Sequence, residues 1–254
     1  MIPIKDAREI VKMREACQAA SRILERISGL IRPGISTGEV DQAAADYMVE
    51  EQCKSAFLGY RGFPGHICIS VNEEVVHGIG GSRRVQYGDI VKLDVGVIKD
   101  GWVGDTATTV PAGAIDAKLQ RLLQVAESSL ALAITHAIAG RRLGDLCAAI
   151  EDEVVANGYS VVREFVGHGV GRSLHEEPQV PNYGRRGSGP KLKAGMTLAI
   201  EPMVNLGGSG VRTLSDKWTV VTNDNKPSAH FEHTVLITQG EPEILTWRAG
   251  NLAH

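Results

Sequence analysis

The 254-residue sequence lacks the CxxC pairs of zinc ribbons, and its four cysteines lie far apart at Cys17, Cys53, Cys68 and Cys147. We therefore expect reduced thiols. No apolar run is long enough to cross a bilayer, and the opening MIPIKDAREIVKM has no apolar signal core, so we expect a cytoplasmic protein. The formal net charge of −3 provides no basic excess, which argues against nucleic-acid binding and a basic membrane-binding surface.

What the sequence does contain is one internal repeat, at a shift of 106 residues. The helical pattern KMREACQAASRIL at 12–24 matches KLQRLLQVAESSL at 118–130. A helix breaker and a second helix follow in both copies, with Gly34 repeated as Gly140. The shared shift favours a duplicated α/β unit.

The strands repeat as well, at a shift of 107 residues. YGDIVKLDV in the first half matches AGMTLAIEP in the second, which aligns Asp94 with Glu201. A further acidic strand residue follows in each half, Asp105 in the first and Glu232 in the second. Four acidic residues in mostly apolar strands are therefore expected to converge.

The repeats predict a single domain over residues 1–254. Two pseudo-symmetric α/β halves, about 5–110 and 111–240, are joined by a short linker and are expected to close around one site.

The first pair of carboxylates lies in VKLDVGVIKDGWVGDT, which predicts two strands and a tight turn. If Lys99-Asp100 is the centre of the turn, Asp94 lies directly opposite Asp105. Buried like charges repel, so a neutralising group is required. We expect Lys92 to point to the opposite face of the strand from Asp94, which leaves no basic side chain to pair with the carboxylates.

Metal is the favoured neutralising group, because two divalent cations would balance four negative charges. A nitrogen ligand is expected from GHGVGRSLHEEP, where His168 lies between two glycines and His175 follows. A third histidine, His77, precedes the first acidic strand. A lone histidine is more often a structural residue, but flanking glycines let the backbone approach a site closely. One imidazole among oxygen ligands suits Mn, Fe, Co or Zn.

These motifs resemble those of the methionine aminopeptidases of the pita-bread fold. The segments that carry the resemblance are VHG at 76–78, DVGVIKDGWVGDT at 94–106, GHGVGRSLHEEP at 167–178, IEP at 200–202 and FEHT at 231–234. The likeness covers nearly the whole chain. It implies an α+β pita-bread fold, with the two halves around a curved antiparallel sheet. The absence of a zinc-finger extension and the short spacing of the last two motifs resemble a bacterial type I enzyme.

The resemblance implies a role for each motif residue. Asp94 would chelate one metal ion, His168 and Glu201 would hold the other, and Asp105 and Glu232 would bridge the two. A hydroxide between the ions would attack the first peptide carbonyl, and Glu201 would relay a proton.

By the same resemblance, two further histidines would contact the substrate. His175 would stabilise the oxyanion, and His77 would hydrogen-bond the substrate backbone or the leaving nitrogen. The implied walls of an apolar pocket for the methionine side chain are Phe57, Tyr60, Phe63, Cys68, Leu174 and Trp218. Plain core packing is the alternative for each wall residue.

The sequence departs from the commoner type I pattern around this pocket. Phe57 stands where a smaller residue is expected, and Leu174 where a larger one is expected. Gly96 stands where threonine is frequent, and Gly80-Gly81 replaces a proline. These changes concern fine specificity, because none of them is a predicted ligand.

The function implied by the resemblance is removal of the first methionine from nascent polypeptides when the second residue is small. It implies a cytoplasmic monomer, and it leaves a transient ribosome contact open. Two alternatives remain: an X-Pro peptidase of the same fold, which usually carries a large N-terminal domain, and a binding protein that has lost its metals.

Overall fold

The computed structural model describes residues 1–247, so residues 248–254 of the predicted domain lie outside the described residues. The helices are α1 (Ala7–Ser28), α2 (Thr37–Glu50), α3 (Ala117–Thr135) and α4 (Leu143–Ala156). The strands are β1 (Lys54–Ser55), β2 (Cys68–Val71), β3 (Glu74–Val76), β4 (Ile90–Lys99), β5 (Trp102–Pro111), β6 (Ser160–Val161), β7 (Gly167–Gly169), β8 (Glu176–Val180), β9 (Thr197–Ile200), β10 (Met203–Asn205), β11 (Val211–Thr213), β12 (Val220–Thr222), β13 (Ser228–His230), β14 (His233–Leu236) and β15 (Glu243–Ile244).

The second helix of each half begins at a capping interaction that the sequence encodes. At α2, the Glu39 amide donates to Ser36 Oγ at 3.2 Å and the Ser36 amide donates to Glu39 Oε2 at 2.8 Å. At α4, the Arg142 amide donates to Asp145 Oδ2 at 3.0 Å. These bonds satisfy amide groups that the first turn of a helix leaves unpaired.

The same backbone turns recur in both halves. Gly34 and Gly140 have φ of +92° and +97°, and Gly88 and Gly195 have φ of +91° and +90°. Side chains disfavour this left-handed region, so glycine is needed at each turn. The matched glycines place β4 and β9 at equivalent points of the two halves.

Two larger sheets carry the acidic strands. In the first half, β4 pairs with β1, β2 and β5. In the second half, a five-stranded sheet has the order β15-β14-β9-β7-β8, and each of its pairings is antiparallel. Helices α1 and α2 pack on the first sheet, and α3 and α4 pack together over the second half.

The hairpin register predicted for β4 and β5 was wrong. The structure pairs Asp94 with Ala107 and Gly96 with Asp105. The turn residues are Asp100 and Gly101, with φ of +49° and +76°, as a two-residue hairpin turn with positive φ at both positions requires. The two carboxylates still share a face of the hairpin, but as diagonal neighbours.

The predicted orientation of Lys92 was also wrong, because residues two apart on a strand share a face. Lys92 is 1 % exposed, and its Nζ donates to the Asn72 carbonyl at 2.6 Å. Burial lowers the pKa of Lys92 to about 7. Lys92 therefore shares a face with Asp94, yet its amine is bonded to the backbone instead of a carboxylate.

The two halves are hydrogen-bonded to each other beside the acidic residues. Thr106 Oγ1 donates to the Glu232 carbonyl at 2.9 Å, and the Glu232 amide donates to the Ala107 carbonyl at 2.9 Å. Thr234 Oγ1 donates to the Asp105 carbonyl at 2.7 Å. Within residues 1–247, no helix has the length and apolar character to span a membrane.

Candidate metal centre and substrate cavity

Three carboxylates converge where the halves meet. Asp94, Asp105 and Glu232 each offer one oxygen, and these oxygens lie within 4.8 Å of one another. Asp105 and Glu232 are 3 % and 2 % exposed. Asp94 Oδ1, Asp105 Oδ1 and Glu232 Oε1 are buried without a hydrogen-bond partner in the part of the chain that the structure describes. A buried carboxylate oxygen without a partner is costly, so this arrangement calls for a cation.

The electrostatics of the cluster point the same way. Burial raises the pKa of Asp94, Asp105, Glu201 and Glu232 well above the ordinary range. The negative charge of a neighbouring carboxylate raises each pKa further. Among the described residues, Asp105 and Glu201 have ion-pair contacts, and these are to His168 and His230. Within residues 1–247, no lysine or arginine is therefore paired with these carboxylates to offset their repulsion.

His168 on β7 supplies a nitrogen at the edge of the cluster. Its Nε2 lies 3.5 Å from Glu201 Oε1 and 3.8 Å from Asp105 Oδ2. Its Nδ1 donates to the Gly169 carbonyl at 2.9 Å, which leaves the Nε2 lone pair facing the carboxylates. Burial lowers the pKa of His168 to about 4, so the ring is neutral at pH 7.

Gly169 shows why glycine follows this histidine. A Cβ on Gly169 would lie 2.8 Å from the Glu177 carbonyl carbon. The close approach of β7 to β8 therefore excludes a side chain at this position.

The donor set fits divalent metal. Four carboxylates, two of them buried and two half-buried, and one neutral imidazole are ligands that Mn, Fe, Co and Zn accept. Within residues 1–247, one oxygen each of Asp94, Asp105 and Glu232 has no hydrogen-bond partner, and no lysine or arginine is paired with the carboxylates. These two observations are the structural reason to expect a metal cation.

A cavity of ≈ 310 Å³ opens over this cluster. Its lining brings all the residues predicted for the site together: the five predicted ligands, the two substrate-contacting histidines His77 and His175, and the pocket residues Phe57, Tyr60, Phe63, Cys68, Leu174 and Trp218. Their individual roles stay predictions.

Tyr60 makes a contact that the sequence did not indicate. Its hydroxyl lies 2.8 Å from His175 Nδ1. The His175 ring lies 4.2 Å from the His168 ring, measured between centroids. Burial lowers the pKa of His175, and the nearby Arg61 charge lowers it further. Tyr60 is thus bonded to a predicted catalytic histidine as well as lining the pocket.

His77 is held by aromatic edges. Its ring meets Phe165 edge-on at 5.3 Å and Trp218 at 6.4 Å between centroids. Its φ of +59° is unusual for a residue with a side chain. Burial lowers the pKa of His77 to about 4. Phe165 lines the cavity, although no motif in the sequence indicated it.

His230 also lies beside the cluster, although no motif in the sequence indicated it. It is 1 % exposed, both ring nitrogens have no hydrogen-bond partner among the described residues, and Nε2 lies 3.6 Å from Glu201 Oε2. The signal available in the sequence was its position two residues before Glu232 in AHFEHT.

Comparison with known proteins assigns the chain to a protein family. The profile of metallopeptidase family M24 matches residues 11–239. The chain belongs to this family. The M24 chain is therefore a metal-dependent peptidase, in agreement with the acidic cluster.

Individual relatives are similar over nearly their whole length. Methionine aminopeptidase 1 of Bacillus subtilis (strain 168) is 50 % identical over 246 residues, which cover 97 % of this chain and 99 % of the relative. Methionine aminopeptidase of Escherichia coli (strain K12) is 47 % identical over 249 residues, covering 97 % and 94 %.

Solved structures agree on the fold. The crystal structure of methionine aminopeptidase from Thermotoga maritima has a TM-score of 0.96 and 44 % identity, covering 98 % of this chain and 100 % of that one. Prolidase from Pyrococcus furiosus, at 22 % identity, shares the fold with a TM-score of 0.78. The predicted pita-bread fold of the M24 chain is confirmed.

Proposed function

We propose that the M24 chain is a divalent-metal-dependent methionine aminopeptidase, which removes the first methionine from peptides. The observation that carries the proposal is the convergence of four carboxylates and one imidazole, from both halves, in the lining of one cavity with aromatic walls. The relatives at 50 % and 47 % identity support the same activity.

Five residues would hold two divalent cations, drawn from Co, Mn, Fe or Zn. These residues are Asp94, Asp105, His168, Glu201 and Glu232. When bound, the cations would lower the pKa of water to near neutrality and polarise the peptide carbonyl.

The side chains of the cavity would move protons and stabilise charge. Glu201, whose side chain is 14 % exposed, would accept a proton and pass it to the leaving amine. His175 Nε2–H would donate to the developing oxyanion. This role requires the hydrogen on Nε2, so Tyr60 would donate its hydroxyl hydrogen to Nδ1. His77 would hydrogen-bond the substrate backbone or its leaving nitrogen.

The apolar part of the cavity would bind the first side chain. Phe63 meets Trp218 edge-on at 5.1 Å between centroids, and the buried residues Cys68 and Leu174 contribute to the same lining. Aromatic walls suit a polarisable thioether.

The substrate test uses Met-Ala-Ser and Ala-Pro-Ala, each with and without chelator. The proposal expects release of free methionine from Met-Ala-Ser only, loss of that activity with chelator, and recovery on adding Mn²⁺ or Co²⁺. Preferential cleavage of Ala-Pro-Ala would favour an X-Pro peptidase. No cleavage after metal addition would favour a binding protein.

Tyr60→Phe isolates the hydroxyl that contacts His175. The variant keeps the aromatic wall but loses the hydrogen bond that fixes the ring tautomer. For Tyr60→Phe we expect kcat to fall by about 10-fold with KM nearly unchanged. For His175→Ala we expect kcat to fall by about 10²–10³-fold. Steady-state kinetics measure both. If Tyr60→Phe changed KM alone, Tyr60 would be only a pocket wall.

We also propose that the chain acts as a single catalytic domain, as a monomer in the cytoplasm. Its substrates would be nascent polypeptides whose second residue is small, and ribosome contact would be transient.

A further inference from the structure

One glycine of the metal-binding hairpin lies directly under an aromatic ring. A Cβ on Gly96 would lie 2.7 Å from Phe57 Cζ and closer still to Cε1. Phe57 is 9 % exposed and lines the cavity. The ring therefore occupies the space that any side chain at position 96 would need.

The position of Gly96 puts this contact beside the predicted ligands. Gly96 lies two residues after Asp94 on β4, and it is the direct partner of Asp105 on β5. Residues two apart on a strand, and residues directly opposite in an antiparallel pair, share one face of the sheet. The Phe57 ring therefore covers the hairpin next to both carboxylates.

The backbone around Phe57 is fixed by hydrogen bonds, so the segment cannot move away from β4 as a unit. Ser55 Oγ accepts the Phe57 amide at 3.0 Å and the Leu58 amide at 2.9 Å. The same oxygen donates to the His66 carbonyl at 2.6 Å. The Ala56 amide donates to the Gly96 carbonyl at 2.9 Å, which ties this segment to β4.

We propose that Phe57 and Gly96 form one specificity-determining pair, which excludes first residues that branch at Cβ. The inference rests on the proposed function, because it assumes that the first residue is bound with its amine and carbonyl at the metal centre. The Cβ of that residue is then the side-chain atom nearest to Asp94 and Asp105. A wall beside these carboxylates would clash with a branch at Cβ, whereas walls further from the carboxylates would limit the length of the side chain.

The two positions depend on each other. The ring fits only because position 96 has no side chain, so a methyl group at 96 would push the ring into the cavity. Without the ring, the methyl group has space. The effects of substitutions at the two positions should therefore be strongly non-additive.

The test compares Phe57→Ala, Gly96→Ala and the double variant on Met-Ala-Ser, norleucine-Ala-Ser and Ile-Ala-Ser. We expect Phe57→Ala to lower the preference for Met over Ile by about 10-fold or more, and to leave the ratio of Met to norleucine unchanged. Gly96→Ala should raise KM for Met-Ala-Ser by about 10-fold or more. In the double variant, KM should return to the value of Phe57→Ala.

Gly208→Ala is the matched control, because a Cβ there meets nothing within 4 Å. It should behave as the wild type in all assays. Thermal unfolding gives a second readout that needs no activity. Gly96→Ala and Phe57→Ala should each lower Tm, and the double variant should lose less than the sum of the two losses.

Two results would contradict the proposal that Phe57 and Gly96 form a specificity-determining pair. Additive effects of Phe57→Ala and Gly96→Ala on both KM and Tm would show that the positions are independent. An unchanged preference for Met over Ile in Phe57→Ala would show that the ring is only core packing. A wild-type chain inactive on every peptide would instead refute the proposed function, while the Tm comparison would still test the contact.

Discussion

Asp94→Asn should abolish metal-dependent release of methionine, with kcat/KM reduced by about 10³-fold or more. The carboxylate lies in the buried cluster with Asp105 and Glu232. Losing one anionic ligand forfeits several kcal/mol of charge stabilisation, and each 1.36 kcal/mol corresponds to about tenfold in rate. Steady-state kinetics at saturating Mn²⁺ measure the loss of activity, and calorimetric titration with Mn²⁺ measures the loss of metal binding.

Asp100→Asn is the matched control in the same hairpin. Asp100 lies in the turn with φ of +49°, a conformation that asparagine tolerates well. Its activity should stay within twofold of the wild type. Substantial turnover by Asp94→Asn, with intact metal binding, would exclude Asp94 as a ligand.

Asp105→Asn should make the metal-free protein more stable while making it unresponsive to metal. Where Asp105 is ionised, a neutral amide in its place removes one of the repelling charges. We expect this to stabilise the metal-free protein by about 2 kcal/mol, which at 2–4 °C per kcal/mol raises Tm by about 4–8 °C. Mn²⁺ at about a thousandfold excess over Kd should stabilise the wild type by about 4 kcal/mol. The variant should gain little, so the order of stability reverses when metal is added.

The sign of the pH dependence follows from the raised pKa values. Burial raises the pKa of Asp105 above its value in the unfolded chain, so the metal-free native state holds protons that the unfolded state releases. This stabilisation is fully present below about pH 4 and is lost as pH rises through the raised pKa. The metal-free wild type should therefore lose stability over this range more steeply than Asp105→Asn.

Asp152→Asn is the control for the stability experiment. Asp152 is an exposed carboxylate that pairs with Arg186 at 2.5 Å, and a surface change of this kind should stay within about 0.5 kcal/mol. If Asp105→Asn were destabilised without metal by more than this control, the carboxylates would be held by protein contacts and not by cations.

The sequence predicted the matching positions of Asp94 and Glu201 because their placement is repeated. Asp94 and Asp105 lie in strands as predicted, whereas Glu201 directly follows β9 and Glu232 lies between β13 and β14. Asp94 and Glu201 occupy corresponding positions after Gly88 and Gly195, and both glycines have φ near +90° in the structure. A turn glycine and an apolar strand are local signals, so the shift of 107 residues could be read without knowing the fold.

The hairpin register failed for a local reason. Asp100-Gly101 is a strong turn signal in the sequence, but the register was counted from Lys99-Asp100. Asp100 and Gly101 are the pair with positive φ in the structure. As a result, the residue opposite Asp105 is Gly96 instead of the predicted Asp94. The error left the shared face intact because the register changed by two residues.

Contacts between residues far apart in the chain could not be predicted from the sequence. The Tyr60–His175 bond joins residues 115 positions apart, and no local pattern specifies it. Phe57 and Gly96 each departed from the family pattern, but their mutual contact depends on how the segment after β1 folds over β4. Such packing depends on tertiary structure, which periodicity does not encode.

Anomalous scattering from crystals grown with Mn²⁺, recorded on both sides of the metal absorption edge, tests the central claim most directly. The account predicts two adjacent peaks, enclosed by Asp94, Asp105, His168, Glu201 and Glu232. Peaks elsewhere in the molecule, with these side chains unbound, would contradict it.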